Sequence, residues 1–194
     1  MHERGDEPRP LIRDPAQAAE LDGEAVVVDL EAADDTEVAQ AVEGADAIVF
    51  TAGAGPGSGS ERKWTMDYGG AVKLIAAAKA NGIARYVIVS AQNADPDAEG
   101  DDTFAVYLRA KGKADQELQG SGLDYTVVRP TGLTDDPGAG TVEIADQVER
   151  GQISRDDVAG VIVAVLDEPA TIGKTFALGP GDVPIADAVA QLRR

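Results

Sequence analysis

A doubly wound α/β fold built on a parallel sheet is what this sequence predicts, and two observations carry the prediction. Apolar runs of strand length alternate along the chain with stretches of helical spacing, the order of βαβ units. The runs at 47–50, 86–89 and 125–128 are apolar without alternation, as in strands covered on both faces.

Taken in order, Arg9 to Ile12 is a short strand, and Arg13-Asp14-Pro15 turns out of it into a short helix, Ala16 to Leu21. Asp22-Gly23 is a turn, and Glu24 to Leu30 is an apolar strand. Asp34-Asp35-Thr36 opens a helix that runs to Glu43 and stops at Gly44. After the strand at 47–50 comes a glycine-rich loop, Thr51 to Ser60, and a long helix over 61–80 ended by Asn81-Gly82. Strand 86–89 leads through an acidic loop, 92–102, into a helix reaching Leu118. Strand 125–128 leads into a loop, 131–140, with Pro137-Gly138 as its turn. The remaining expectations are a strand at 141–145, a helix from Ser154 to Leu166, a strand at 174–178 and a helix from Pro184 to Leu192. All 194 residues are read as one domain, with a small substrate-side segment at 131–152.

Composition excludes several function classes. With no cysteine and a single histidine, His2, thiol chemistry, thiolate metal sites and a Ser-His-Asp triad all drop out, and no metal is expected. The net charge of -18, from 35 acids against 17 bases, repels nucleic acid and anionic membrane. The acids are spread along the chain, which fits a solvated acidic surface; the sharper reading is a halophilic one, adapted to a high-salt cytoplasm. No signal peptide or membrane-length apolar run is present, and a cytoplasmic location is expected.

The chemistry gathers in F-A-V-Y-L-R-A-K-G-K, 104–113. Tyr107 and Lys111 are four residues apart, hence on one helix face. A phenol there can give a proton to a carbonyl oxygen, and a nearby ammonium lowers its pKa. An amphipathic helix with a partly buried tyrosine and a solvated lysine has the same spacing.

Five further stretches stand in a telling order: V-V-V-D-L at 26–30, I-V-F-T-A-G at 48–53, D-Y-G-G-A-V-K-L-I-A-A-A at 67–78, Y-V-I-V-S at 86–90 and L-D-Y-T-V-V-R-P at 123–130. With Y-x-x-x-K at 107–111, I-S-R-D-D-V-A at 153–159 and G-K-T-F-A-L at 173–178, the chain resembles an atypical short-chain dehydrogenase/reductase. The branch it looks like is that of the NmrA-like, NAD(P)-binding sugar-epimerase-like proteins. The resemblance implies a Rossmann-like sheet from about Gly5 onward. One departure stands out. That family opens with a strand and a G-x-x-G-x-x-G loop, and this sequence shows neither, so the first βα unit is absent from it. The missing strand belongs at the sheet centre, between those at 9–12 and 47–50. The glycines of 53–59 follow the wrong strand to replace the loop. A shortened reading frame is the expectation; folding around the gap with loss of tight dinucleotide binding, or pairing with a second chain, are the alternatives.

The resemblance implies Tyr107 as general acid and Lys111 as its partner, which also binds the nicotinamide ribose. Ser90, ending a buried strand, is the carbonyl-orienting candidate, or a serine capping its own turn. On the cofactor side, Arg13 would read a 2′-phosphate, favouring NADP with NAD as the other choice. Asp29 and Leu30 resemble the adenine contact, and Thr51, Ala52 and Gly53 the backbone contact to the adenosine ribose. Arg129, Pro130 and Thr131 resemble the stretch beside the nicotinamide, with Thr131 where the family has glycine. Asp156 and Asp157 read as helix-start acids.

The implied function is an NAD(P)-dependent oxidoreductase acting on a small carbonyl or related substrate, impaired if the chain is truncated. The alternatives are a non-catalytic NAD(P)-sensing or interaction protein of NmrA type and, among enzymes, an NAD-dependent epimerase/dehydratase. The expected partners are a small-molecule substrate and, through the helices at 61–80 and 102–118, a second copy in a homodimer.

Overall fold

The computed structural model of the chain describes residues 5–21, 23–55 and 57–193. His2 and Asp22, named above, lie outside them, as does one residue of the glycine-rich loop, Pro56. Leu11–Ile12 (β1) and Val26–Val27 (β2) pair in parallel. Between them Asp14 caps a 3-10 turn, Pro15–Glu20, by accepting from the Ala16 N–H. Both strands are shorter than the sequence predicts, and Val27 is 54% exposed. The reason is position: β2 has a neighbour on one side only. Its other flank opens on a cleft of about 500 Å³ shared with helix α1 (Asp35–Ala41). Asp34 caps α1 through the N–H groups of Thr36 and Glu37, while the Glu37 side chain accepts from the Asp34 N–H.

Then follow β3 (Ala47–Phe50), α2 (Ser60–Arg62), a π-helical segment (Lys63–Gly70), α3 (Ala71–Asn81), β4 (Arg85–Val89), α4 (Thr103–Gln119) and β5 (Asp124–Pro130). Next come β6 (Gly132–Thr134), β7 (Thr141–Ala145), β8 (Gln152–Ser154), α5 (Arg155–Asp167), β9 (Lys174–Pro180), β10 (Val183–Pro184) and α6 (Ile185–Ala190). The main sheet has the order β10-β7-β9-β5-β4-β3. Strands β3, β4, β5 and β9 are parallel, as predicted. β7 and β10 run antiparallel at one edge, a common way for a parallel sheet to end. The predicted loop at 131–140 contains β6, which pairs with β8. Among the described residues no pairing joins β1 to β3, so the sheet is interrupted where the sequence predicts the missing strand.

Successive strand residues face opposite sides, and two cores result. Ile48, Phe50, Tyr86, Ile88 and Val127 pack against α1, α3 and α4 on one face. Val87, Val89 and Val128 pack against Val158, Val161 and Val165 of α5 and Val189 of α6 on the other. Each such buried side chain contributes roughly 2 kcal/mol of apolar transfer. The C-terminal ends of β3, β4 and β5 are left between these layers, which is where an open α/β sheet holds its ligands. No described helix is long and apolar enough to cross a membrane.

Candidate functional site

Helix α4 carries Tyr107 and Lys111. Its start is fixed by Asp102, which accepts from the N–H groups of Phe104 and Ala105. Gly112 lets the helix lie directly on the acidic loop, since a Cβ there would meet the Pro96 nitrogen and the Asp95 carbonyl carbon at 2.3 Å. Arg109 ties the same loop down through the Ala98 and Gly100 carbonyls.

Facing α4 is the π-helical segment, which the sequence does not announce. It turns Lys63, Met66, Asp67 and Gly70 inward. A π turn widens the helix locally and changes which side chains share a face. The Lys111 ammonium lies 3.5 Å from Asp67 Oδ1 and donates to the Val89 carbonyl at 3.2 Å. The other Asp67 oxygen accepts from the Ala54 N–H at 3.1 Å. Gly53 passes so close to that carboxylate that a Cβ would stand 2.9 Å from it, so the loop after β3 needs glycine there. Lys63 donates to the Gly55 carbonyl at 3.0 Å, and its ammonium stands 5.4 Å from the centre of the Tyr107 ring.

One turn beyond Lys111, the buried Asp115 gathers two side chains through three contacts. Ser90 Oγ donates to its Oδ2 at 2.8 Å, and Arg129 reaches the same oxygen through Nε at 2.9 Å and Nη2 at 2.8 Å. Its Oδ1 is buried without a described partner, as is the hydroxyl of Thr131. Ser90 is therefore committed to Asp115, and Arg129 is held as a salt bridge partner. Pro130 accepts the Gln92 N–H through its carbonyl.

Burial pushes the Tyr107 phenol up to about 12, with the Asp67 and Asp115 carboxylates acting the same way. This is opposite to the sequence expectation of a lysine-lowered phenol. Tyr107 is desolvated, and Asp67 answers the charge of Lys111. Lys111 itself is pulled down from the usual lysine range by burial, against the pull of Asp67 and Asp115. Asp115 is raised by burial, against Arg129.

Of the residues expected on the cofactor side, Arg13 has a half-exposed side chain that lies 3.6 Å from Glu31. Glu31 is gripped by Arg62 and accepts from Thr65 Oγ1 at 2.6 Å. The Arg62 bond holds its carboxyl below the usual range. Asp29 accepts from the Glu31 N–H, and the carbonyl of the buried Leu30 accepts from Lys73 at 2.8 Å. Thr51, Ala52 and Gly53 leave the end of β3, with Thr51 and Gly53 exposed. The segment at 131–152 is tied to the end of β4 by Gln92, which donates to the Val148 carbonyl at 2.8 Å. Asp157 is more than a helix-start acid: it accepts from the Ala139 and Gly140 N–H groups and pins the preceding loop. Among the described residues no cluster suits a metal ion.

Sequence reading missed Glu31, Arg62, Lys63, Asp67 and Asp115. The available signal was charge on an apolar face: Asp67 follows Met66 directly, and Asp115 repeats the four-residue step of Tyr107 and Lys111.

The model of the NAD(P)H-binding family matches residues 1–169. The chain belongs to that family. Its relatives place it with the atypical, NmrA-like short-chain dehydrogenases/reductases. It is 44% identical over 187 residues to the uncharacterized sugar epimerase YhfK of Bacillus subtilis, covering 95% of this chain and 87% of the relative. A solved structure from Bacillus halodurans, described as a candidate NAD-dependent epimerase/dehydratase, superposes with a TM-score of 0.88 at 39% identity, covering 97% of this chain and 89% of that one. The oxidoreductase ylbE from Lactococcus lactis superposes with a TM-score of 0.83 at 29% identity, covering 95% and 84%.

Proposed function

We propose that this member of the NAD(P)H-binding family is an oxidoreductase that reduces or oxidises a small carbonyl or alcohol substrate, with NADPH as the preferred cofactor. The observation that carries the reading is the Tyr107 phenol, kept protonated by burial, one helical turn from a buried lysine at the C-terminal ends of β4 and β5.

The residues present fit a nicotinamide dinucleotide at both ends. At one end, Gly53 brings the loop after β3 close to Asp67, and Arg13, following β1, reaches Glu31, which Arg62 links to the Ala54 carbonyl of that loop. At the other, the Thr131 hydroxyl is buried without a described partner, which suits an amide or hydroxyl from a ligand. A glycine loop for the pyrophosphate is not among the described residues. When bound, the nicotinamide exchanges a hydride with the substrate carbon. Tyr107 holds a proton at its phenolic oxygen and gives it to the carbonyl oxygen as the alcohol forms. Lys111, fixed by Asp67 and the Val89 carbonyl, would bond a ribose hydroxyl of the cofactor on this reading. Ser90, Asp115 and Arg129 act as one rigid unit that supports α4 against the strand ends.

The names of the Bacillus relatives favour a second reading, in which the same tyrosine and lysine serve an epimerase or dehydratase with cofactor retained. A non-catalytic NAD(P) sensor is the remaining reading, favoured by the interrupted sheet. Fluorescence titration of the purified chain with NADPH and NADH, followed by turnover assays on Tyr107→Phe, separates the three. Binding with turnover lost in Tyr107→Phe supports the oxidoreductase. Cofactor that co-purifies supports the epimerase or dehydratase. Binding that no carbonyl or alcohol converts into turnover supports the sensor.

A further inference from the structure

The charged groups around Tyr107 form a small closed set: Lys63, Lys111 and Arg129 against Asp67 and Asp115. Two of the cations are matched, Lys111 by Asp67 and Arg129 by Asp115. Lys63 is not. It is only 8% exposed, its ammonium donates to the neutral Gly55 carbonyl, and no carboxylate pairs with it among the described residues. Burying an ammonium without a counter-charge is costly, and the cost is recovered when an anion arrives. The ring face of Tyr107 is the other thing Lys63 touches, so the unmatched charge sits next to the phenol rather than at a remote surface.

From this arrangement we infer that Lys63 is a substrate-binding residue, and that the carbonyl substrate carries an anionic group, a carboxylate or phosphate, close to its reacting carbon. This rests on the oxidoreductase reading for the role of Tyr107, and narrows it to a substrate class. A carbonyl accepting from the phenol lies within about 3 Å of its oxygen. An anionic group one or two carbons further along falls within the sweep of the Lys63 side chain, which trades the Gly55 carbonyl for the ligand. A neutral carbonyl compound would leave the third cation unmatched. Among these five groups the cations outnumber the carboxylates by one, in a chain whose net charge is -18.

The test compares ligands that differ by one charge. Binding of acetoacetate and of its neutral methyl ester, and of dihydroxyacetone phosphate and dihydroxyacetone, is measured by calorimetry on the full chain with and without NADPH. The expected result is that one anionic ligand binds at least about tenfold tighter than its neutral counterpart, as one desolvated charge contact implies. The pair showing the preference tells carboxylate from phosphate. Lys63→Met removes the preference and Lys63→Arg keeps it. Equal binding within both pairs, no binding by any of the four, or a preference that survives Lys63→Met overturns the inference. The comparison within each pair uses the unaltered protein, so it stands even if Lys63→Met does not fold. An anion preference without NADPH binding would sink the oxidoreductase reading and leave the Lys63 site intact. NADPH binding with no anion preference would do the reverse.

Discussion

Asp67 and Lys111 face each other at 3.5 Å with side chains 1% and 5% exposed, one from the π-helical segment and one from α4. This pair joins the loop after β3, held by Asp67 at the Ala54 N–H, to the end of β4, held by Lys111 at the Val89 carbonyl. A buried pair of this kind is costly to break from one side, because the remaining charge loses its partner.

Asp67→Asn should therefore destabilise the chain by roughly 3 kcal/mol in urea unfolding. Removing both charges, in Asp67→Asn with Lys111→Met, should cost less than the sum of the two single changes. Strict additivity would mean that the two groups do not interact across the helices.

The phenol of Tyr107 gives a pH dependence with a definite sign. Its value in the folded chain is about 12, raised from 10.0. The fold favours the protonated form, so this contribution is whole below pH 10 and is lost as pH rises towards about 12. The loss amounts to about 2 kcal/mol. Lys111, lowered by burial, acts in the other direction as pH rises, so the comparison must be with Tyr107→Phe. Across the alkaline range the unaltered chain should lose more stability than Tyr107→Phe; parallel curves would show that the phenol is not desolvated.

On the proposed NADPH reading, Glu31 would compete with the 2′-phosphate for Arg13. Its contact with Arg13, at 3.6 Å, is looser than its grip on Arg62. Glu31→Gln should free Arg13 and raise NADPH affinity relative to NADH by about tenfold, while Arg13→Ala should lower NADPH affinity alone. An NADPH to NADH ratio unmoved by either change would place the 2′-phosphate elsewhere.

The acid excess predicts a melting temperature that climbs as potassium chloride is raised to molar levels, because self-repulsion is screened. A flat profile would leave the acids as an ordinary solvated surface and remove the halophilic reading.

Much of the fold was legible because burial leaves a trace in composition. β3 and β4 announce themselves as Ala-Ile-Val-Phe and Tyr-Val-Ile-Val, and α4 through its apolar spacing. Strand β2 misled, since Val26-Val27-Val28 looks equally buried whether or not a neighbour exists, and Val27 proves exposed. The direction of β7 and β10 was also hidden, because alternation does not encode whether a strand runs up or down. In the site, the facing of Tyr107 and Lys111 followed from helix geometry alone. Their counter-charges did not. Asp67 is placed by a π turn, whose altered hydrogen bonding has no residue signature, and Asp115 is matched by Ser90 and Arg129 from two separate strands. Contacts between elements so far apart in sequence are set by packing, and packing is what a single sequence shows least.

The inward-facing cations in an outwardly acidic chain have a kinetic consequence. On the proposed reading, a negatively charged dinucleotide or substrate would approach a body that repels it and would then be held by Lys63 or Lys111 inside and Arg13 nearer the surface. Added salt weakens both effects, but the repulsion is long-ranged and the holding contacts are short, so salt acts mainly on the approach. Encounter should quicken with ionic strength, the reverse of the usual steered association. On that reading, the speed of capture would be set by the medium and the length of retention by the few cations of the site.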